Sequence, residues 1–233
     1  MLLVSILSLF PEYFTSPFQQ SIIKKAIERK KLEISLTDIR DFSEDKNKRV
    51  DDRPFGGGPG MVLCPKPVVD AIDSVKKEDS HVVYFSPQGS LLTPTKAKEL
   101  SKKKHLVLLC GHYEGIDQRA IDIRVDEEIS IGDYVLTNGC LPAIVLVDAV
   151  SRFLPEVLGN PETSKSDSLE NGLFKGPVYT RPEEYKELRV PEVLLQGHHA
   201  KIEDWRFTKG LEKTKKVRPD LYEQYLKKKG EVL

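Results

Sequence analysis

The sequence predicts an α/β fold in which a parallel sheet carries helices on both faces. Strand-like runs and helical patterns alternate through the first two thirds of the chain, and several of these runs are apolar throughout. Continuous apolar strands are typical of parallel sheets, because helices cover both faces of such a sheet. A helical region follows, and 233 residues are enough for a large domain together with a small one.

Local signals predict each element in turn. The opening run MLLVSILSLF is apolar but too short to span a membrane, so it is predicted to be a buried strand. Ser16 and Pro17 match an N-cap and a first helical position, and Thr93 and Pro94 repeat that signal. In chain order, the sequence predicts strands over 1–10, 33–39, 81–86 and 105–110, and helices over 18–31, 65–77, 94–104 and 142–154.

The remainder of the chain is predicted to be a linker and a helical region. The stretch PEVLGNPETSKSDSLENGLFKGPVYTRPEEY, which follows residue 154, is rich in Pro, Gly, Ser and Asn, as mobile linkers between domains are. Beyond it, helical patterns recur over 192–196, 201–213 and 220–229.

Composition limits the classes of protein that the chain can belong to. Cys64, Cys110 and Cys140 are widely separated and include no C-x-x-C pair, which argues against a disulfide framework or a zinc knuckle. The opening run has no basic flank and no small-residue cleavage site, so a cytoplasmic protein is expected.

Charge is balanced over the whole chain but not along it. The formal net charge is zero, which alone gives no reason to expect a polyanionic partner. Residues 201–233, however, hold ten Lys or Arg against six acidic residues. This basic excess fits either contact with a nucleic acid or an ordinary solvated helical surface.

Three predicted loops follow strands at the edge where open α/β sheets bind ligands. They cover residues 86–89, 111–115 and 130–143. The last, SIGDYVLTNGCLPA, mixes apolar residues with glycines that would let the backbone approach a small molecule. We expect its apolar residues to be buried as a pocket wall, namely Ile131, Tyr134, Val135 and Leu136. An ordinary buried strand followed by a turn is the alternative.

Several familiar motifs are absent from the sequence. It contains no P-loop, no G-x-S-x-G and no H-E-x-x-H. The cluster GGGPG at 56–60 follows a polar segment, so it is not a dinucleotide fingerprint. It lies in an unusually long loop over 40–62 and is predicted to be either a flap that closes over a flat ring or a plain flexible loop.

Six blocks of sequence, taken together, resemble the bacterial tRNA (guanine-N1)-methyltransferases of the SPOUT superfamily. They are RVDDRPFGGGPGM at 49–61, YFSPQG at 84–89, LCGHYEGIDQR at 109–119, SIGDYVLTNGCLPA at 130–143, DAVSRFLPEVLGN at 148–160 and YTRPEEY at 179–185. Two small departures are Asn138, where some members carry a second glycine, and Leu169, where an aromatic residue is common.

This resemblance implies more about the fold than periodicity does. It implies a trefoil-knotted S-adenosylmethionine domain over 1–160, a linker over 161–178 and a helical tRNA-binding domain over 179–233, whereas the pattern alone would suggest an unknotted sheet. The residues implied to bind the cofactor are Tyr84, Phe85, Ser86, Pro87, Gly111, Tyr113, Glu114, Ser130, Ile131, Gly132, Asp133, Tyr134, Val135, Leu136, Asn138, Gly139 and Pro142.

The resemblance also implies methyl transfer to N1 of the guanosine at tRNA position 37. Asp167 matches the general base of the family and Arg152 the arginine that would stabilise charge on guanine O6. Without the family, Asp167 would be one of many linker acids, and Arg152 would favour the C-terminus of its helix. Glu114 is implied to hold the target base or a Mg²⁺ ion. Gly56, Gly57 and Gly58 are expected to approach the target guanosine and the guanosine before it.

In this family the linker aspartate reaches the site of the other subunit, so a homodimer is expected. Two alternatives stay open on the sequence: a SPOUT methyltransferase that acts on another RNA, and a non-catalytic RNA-binding protein.

Overall fold

The structure, a computed structural model, describes residues 1–158 and 167–230. The chain divides into two compact units, Met1–Asn160 and Pro161–Leu233. Residues 161–166, with which the predicted linker begins, lie outside the described residues, and so do Asn160 and its neighbour at 159. The proposed division into domain, linker and domain therefore stays a prediction.

The first unit holds a five-stranded parallel sheet, which confirms the α/β prediction. The strands of the described chain are β1 (Leu2–Ser8), β2 (Leu32–Asp38), β3 (Asp51–Asp52), β4 (Val62–Leu63), β5 (Ser80–Leu91), β6 (His105–Leu109), β7 (Glu127–Ser130), β8 (Glu184–Tyr185) and β9 (Leu188–Arg189). The sheet has the order β2-β1-β6-β5-β7, with every pairing parallel. Strand β6 thus lies between two strands that precede it in the chain.

Five helices pack on this sheet. They are α1 (Ser21–Glu28), α2 (Pro65–Val75), α3 (Pro94–Leu100), α4 (Gln118–Arg124) and α5 (Cys140–Ser151). Proline occupies the first helical position of α2 and α3, where its missing N–H costs nothing. The Thr93 side chain accepts the Lys96 N–H at 3.2 Å, as the predicted N-cap should.

Two hydrophobic cores lie on opposite faces of the sheet. Helices α1, α3 and α5 contribute to one core, and α2 and α4 contribute to the other. Successive residues of β6 alternate between the cores, with Leu106 and Leu108 in the first and Val107 and Leu109 in the second. Burial on both faces explains why this strand is apolar throughout.

Several predicted boundaries are wrong. Helix α3 ends at Leu100 and not at 104, and α5 runs over Cys140–Ser151 and not over 142–154. The helix predicted over 18–31 is split into a 3-10 turn at Pro17–Gln19 and helix α1, because Gln20 is extended and Ser21 takes a φ of 51°. The predicted loop at 86–89 instead lies within β5, which continues to Leu91. A register shift between Phe85 and Ser90 accommodates its turn-like residues, as a β-bulge does.

The second unit contains the β8–β9 hairpin, helix α6 (His199–Val217) and helix α7 (Pro219–Lys229). Thr214 is completely buried in α6, where its hydroxyl donates to the Gly210 carbonyl and accepts the Phe174 N–H, each at 2.8 Å. These bonds fix the segment around Phe174 against the helix. In the described part of the chain, no helix is both long and apolar enough to cross a membrane.

Candidate active site

A cavity of about 400 Å³ opens beside the ends of β6 and β7 and the second half of β5. Its wall is built from the segments at 84–88, 111–116, 128–132 and 134–139, together with Gln118, Ile121 and Pro142. The three stretches predicted to meet at the ligand-binding edge therefore do lie around one cavity. A volume of this size suits a small organic molecule.

Most of the residues that the resemblance assigns to the cofactor lie in this wall; among them, only Asp133 does not. The wall also contains residues outside that assignment: Gln88, His112, Gly115, Ile116, Gln118, Ile121, Glu128, Ile129 and Thr137. Most of these belong to the quoted blocks, so the blocks themselves could have indicated them. Glu128 and Ile129 immediately precede Ser130 in β7, a strand that is absent from the predicted elements.

One side of the cavity, called the floor below, is formed by Gly111 and His112 together with Asn138 and Gly139. Main-chain contacts hold these two segments together. The Gly139 N–H donates to the Gly111 carbonyl at 2.9 Å, and His112 pairs with Asn138 in an antiparallel bridge. A Cβ atom at Gly139 would lie 2.8 Å from the Cys110 Cα, and one at Gly111 would lie 2.9 Å from the Tyr84 ring. Gly139 is therefore required for this close approach, because backbone atoms surround it, whereas a side chain at Gly111 would have to displace the Tyr84 ring.

The segment after Ser130 is a turn rather than a buried strand. Strand β7 ends at Ser130, whose hydroxyl accepts the Gly132 N–H at 3.2 Å. The predicted burial of the apolar residues in this segment is wrong: Tyr134 is 54% and Val135 84% exposed, while Ile131 and Leu136 are half-buried. Because no further strand pairing continues here, these side chains line the open cavity instead of the core.

The charged side chains in the described wall are two carboxylates, Glu114 and Glu128. Burial and the neighbouring Glu128 charge raise the pKa of the Tyr84 phenol, which keeps that hydroxyl protonated at neutral pH. The wall thus carries negative charge and favours a ligand with a positively charged group.

The glycine-rich loop is attached to the cavity through Glu114. The Glu114 N–H donates to the Met61 carbonyl at 3.0 Å, and a Cβ atom at Gly60 would lie 2.5 Å from the Glu114 Cγ. Gly56, Gly57 and Gly58 all have positive φ and open space around them, and the neighbouring Phe55 is 100% exposed. The loop therefore presents uncrowded glycine backbone and an exposed aromatic ring.

Neither of the two residues matched to catalytic roles is among the residues of the described cavity wall. Arg152 is the half-buried C-cap residue of α5 and is not part of the cavity wall. Asp167 is half-buried in the second unit. Their roles remain those that the resemblance implies. Within residues 1–158 and 167–230, no cluster of three or more His, Cys, Asp or Glu could hold a metal ion.

Comparison with known proteins identifies the family. The family model described as tRNA (Guanine-1)-methyltransferase TrmD matches residues 2–224. A protein of Protochlamydia amoebophila (strain UWE25) is 59% identical over 220 residues, which are 94% of this chain and 99% of that protein. Proteins of Chlamydia pneumoniae and Chlamydia muridarum (strain MoPn / Nigg) are also 59% identical, over 97% and 95% of this chain and 63% of each relative. All three relatives are named tRNA (guanine-N(1)-)-methyltransferase. The chain belongs to the tRNA (guanine-1)-methyltransferase family.

Proposed function

We propose that the protein transfers the methyl group of S-adenosylmethionine to N1 of the guanosine at position 37 of tRNA. The observation that carries this proposal is the cavity with its glycine floor, built from three of the sequence blocks that mark the family. The resemblance to the relatives extends along nearly the whole chain.

The cavity fits S-adenosylmethionine in size and in charge. Main-chain groups of Gly111 and of residues 131–136 would bind the adenine, because the close backbone approach leaves those groups at the cavity surface. Glu114 and Glu128 complement the positively charged sulfonium. The bound cofactor supplies an electrophilic methyl group.

The residues of this chain would prepare guanine N1 for attack. N1 carries a proton at neutral pH, and its lone pair becomes available for the methyl group once that proton leaves. Asp167 would accept the proton, which typically accelerates a reaction roughly 10²- to 10⁴-fold. The Arg152 guanidinium would stabilise the negative charge that develops on O6, as donors do in an oxyanion hole. Glu114 would hold the target base, and no step of this mechanism is assigned to Mg²⁺.

We infer a homodimer from the same resemblance, and the surface of α5 supports it. Helix α5 is apolar around most of its circumference, a property typical of helices covered on all sides. Yet Leu141 and Val145, one turn apart, are each 44% exposed in the single chain. A second copy packed on this face would bury them.

The trefoil knot is part of the same proposal, with the Gly111 and Gly139 segments crossing at its centre.

Two surfaces would bind the tRNA. Helices α6 and α7 carry most of the basic residues of the second unit, which suits contact with the phosphate backbone. The loop with Phe55 and Gly56 to Gly58 would approach the bases, because single-stranded loops expose bases for stacking on aromatic side chains. The domain boundaries and a cytoplasmic location stay predictions.

Methyl transfer to defined transcripts tests the proposal. Unmodified tRNA with guanosine or adenosine at position 37 would be incubated with labelled S-adenosylmethionine, and the product nucleosides would be separated. We expect N1-methylguanosine from the guanosine transcript alone. Cofactor binding without product on either transcript would indicate another RNA substrate. Absence of calorimetric heat with S-adenosylmethionine would instead favour the non-catalytic RNA-binding protein.

A further inference from the structure

Two of the three cysteines lie side by side beneath the cavity floor, and the proposed methyl transfer uses neither. Cys110 and Cys140 are both completely buried. They flank the glycines of the floor, and the hydrogen bond from Gly139 to Gly111 therefore brings them together. A Cβ atom at Gly139 would lie 2.8 Å from the Cys110 Cα, so the two cysteines belong to backbone segments that are in direct contact. The third cysteine, Cys64, lies elsewhere and is half-buried.

The surroundings of the two thiols differ. Cys140 is the first residue of α5, and a helix N-terminus stabilises a thiolate. Its Sγ atom lies 3.3 Å from the Ser8 hydroxyl and 3.9 Å from the His112 Nε2. Hydrogen bonds from Cys110, His112 and Ser8 lower the pKa of the Cys140 thiol, whereas burial raises that of Cys110. Cys140 is thus the nucleophilic member of the pair.

We propose that Cys110 and Cys140 are a thiol-oxidation site, which takes a peroxide and closes into a reversible disulfide that weakens cofactor binding. The Cys140 thiolate attacks one peroxide oxygen, the O–O bond breaks, and the departing hydroxide takes up the thiol proton as water. The Cys110 sulfur then attacks the resulting sulfenic acid and the S–O bond breaks. The second hydroxide leaves as water with the Cys110 proton. Two thiols are oxidised and one peroxide is reduced.

The position of His112 connects this pair to the cavity. His112 lines the cavity and contacts Cys140, so a small oxidant in the cavity is separated from the thiol by one side chain. A disulfide bond of about 2.05 Å is much shorter than a contact between two thiols. Closing it therefore shifts the Gly111 and Gly139 segments and removes the Cys140 contact with His112. We expect the cofactor site to be distorted as a result.

Thiol mapping on the full-length protein tests the modification. The reduced protein would be treated with hydrogen peroxide, quenched in acid, unfolded, alkylated and digested. We expect the number of alkylated cysteines to fall from three to one, with Cys64 still alkylated and a peptide linking Cys110 to Cys140. The matched control Cys64→Ser should lose both of its thiols, whereas Cys140→Ser should form no internal crosslink. Three alkylated thiols in the treated wild-type protein, or crosslinks through Cys64, would overturn the proposal. This result is measured on the wild-type protein and needs neither variant.

Calorimetry with S-adenosylmethionine tests the consequence. We expect the oxidised protein to bind it severalfold more weakly than the reduced protein, and dithiothreitol to restore the affinity. A crosslink that forms without any change in affinity would refute the link to the cofactor site. Because neither readout involves tRNA, this inference can fail while the proposed methyl transfer stands.

Discussion

Among single residues, Asp167 gives the most direct test of the proposed chemistry. Replacing it with asparagine keeps the shape but removes the proton acceptor, so we expect kcat to fall roughly 10²- to 10⁴-fold. The Kd for S-adenosylmethionine, measured by calorimetry, should stay close to that of the wild type. Glu183→Gln, which alters an exposed acid of the same unit, is the control and should keep full activity. Equal losses of binding and turnover in Asp167→Asn would mean a structural role.

The exposed ring of Phe55, in the glycine-rich loop, is the basis of a second prediction. Stacking of a base on an aromatic side chain contributes roughly 1–3 kcal/mol, so Phe55→Ala should weaken tRNA binding by about 5- to 150-fold. Phe55→Tyr keeps the ring and should bind tRNA like the wild type. Cofactor binding should be unaffected in both variants. Equal tRNA affinities for the alanine and tyrosine variants, measured by filter binding, would exclude a stacking role.

The glycine at the cavity floor is predicted to be irreplaceable. A Cβ atom at Gly139 would lie 2.8 Å from the Cys110 Cα and 3.0 Å from the Gly111 nitrogen, and backbone atoms have little room to yield. Gly139→Ala should therefore lower the free energy of unfolding in urea by about 1–3 kcal/mol and weaken cofactor binding. Gly57→Ala is the matched control. The added Cβ atom meets no neighbouring atom there, so only the unfavourable positive φ lowers the free energy of unfolding. Unchanged cofactor binding in Gly139→Ala would contradict this account of the floor.

The helices and strands differ in how far the sequence predicts them. Strands β1, β2 and β6 and helices α2 and α3 were predicted because burial and capping depend on local residues, as at Thr93 and Pro94. Strand β7 was not predicted, and α5 begins at Cys140 and not at Pro142. The insertion of β6 between β1 and β5 was not predicted either, because strand order depends on contacts between distant segments. Strand β5 was predicted too short, since Pro87 and Gly89 look like turn residues and a bulge is not visible in sequence.

The candidate site shows the same limit. Local glycine patterns and family blocks predicted which segments surround the cavity, and the structure places those segments there. The exposure of Tyr134 and Val135 could not be predicted, because apolar side chains that line a cavity and those that fill a core have the same composition. The contact between Gly60 and Glu114 likewise joins distant parts of the chain.

A buried histidine that links three strands predicts a pH effect on stability. The His105 Nε2 lies 3.0 Å from the Ser5 hydroxyl of β1, and its Nδ1 lies 2.7 Å from the Ser80 hydroxyl of β5. Burial, with a smaller effect of Lys77, lowers the pKa of His105 in the folded protein. The neutral ring therefore contributes stability above the unfolded pKa of about 6.5, and that contribution is lost as the pH falls through the lower folded value.

Urea unfolding at about pH 7.5 and about pH 5.5 measures this effect, since the two values bracket the unfolded pKa of histidine. We expect the wild type to lose more stability on acidification than His105→Gln does. His199→Gln, at an exposed position, should behave like the wild type. The same pH dependence in His105→Gln and the wild type would show that another group is responsible.

For the whole molecule, the proposed homodimer predicts that two inactive variants restore activity when mixed. Gly111→Val should block the cofactor cavity, because a side chain there meets the Tyr84 ring, and Asp167→Asn lacks the base. After unfolding and refolding together, about a quarter of the wild-type activity should return, because half of the dimers are mixed and each of those holds one intact site. No recovery, with dimers demonstrated by sedimentation, would place the base in the same subunit as its cavity.

The basic helices of the second unit predict a strong salt effect on tRNA binding. Each phosphate neutralised by Lys or Arg releases counterions, so the logarithm of the tRNA affinity should fall linearly with the logarithm of the salt concentration. Lys213→Gln, at an exposed position in α6, should reduce the slope, while Lys30→Gln in the first unit should not. A slope that neither variant changes would exclude this part of α6 from the phosphate contact.

The floor made of main-chain atoms has a consequence for how this protein tolerates change over generations. In the proposed site, recognition of the adenine by peptide groups of Gly111 and of residues 131–136 would not depend on the identity of most neighbouring side chains. We therefore expect inherited substitutions around the rim to have little effect, whereas Gly139, which is surrounded by backbone atoms, has no acceptable replacement. An inhibitor aimed at those peptide groups would leave few single mutations that confer resistance and still keep the floor intact.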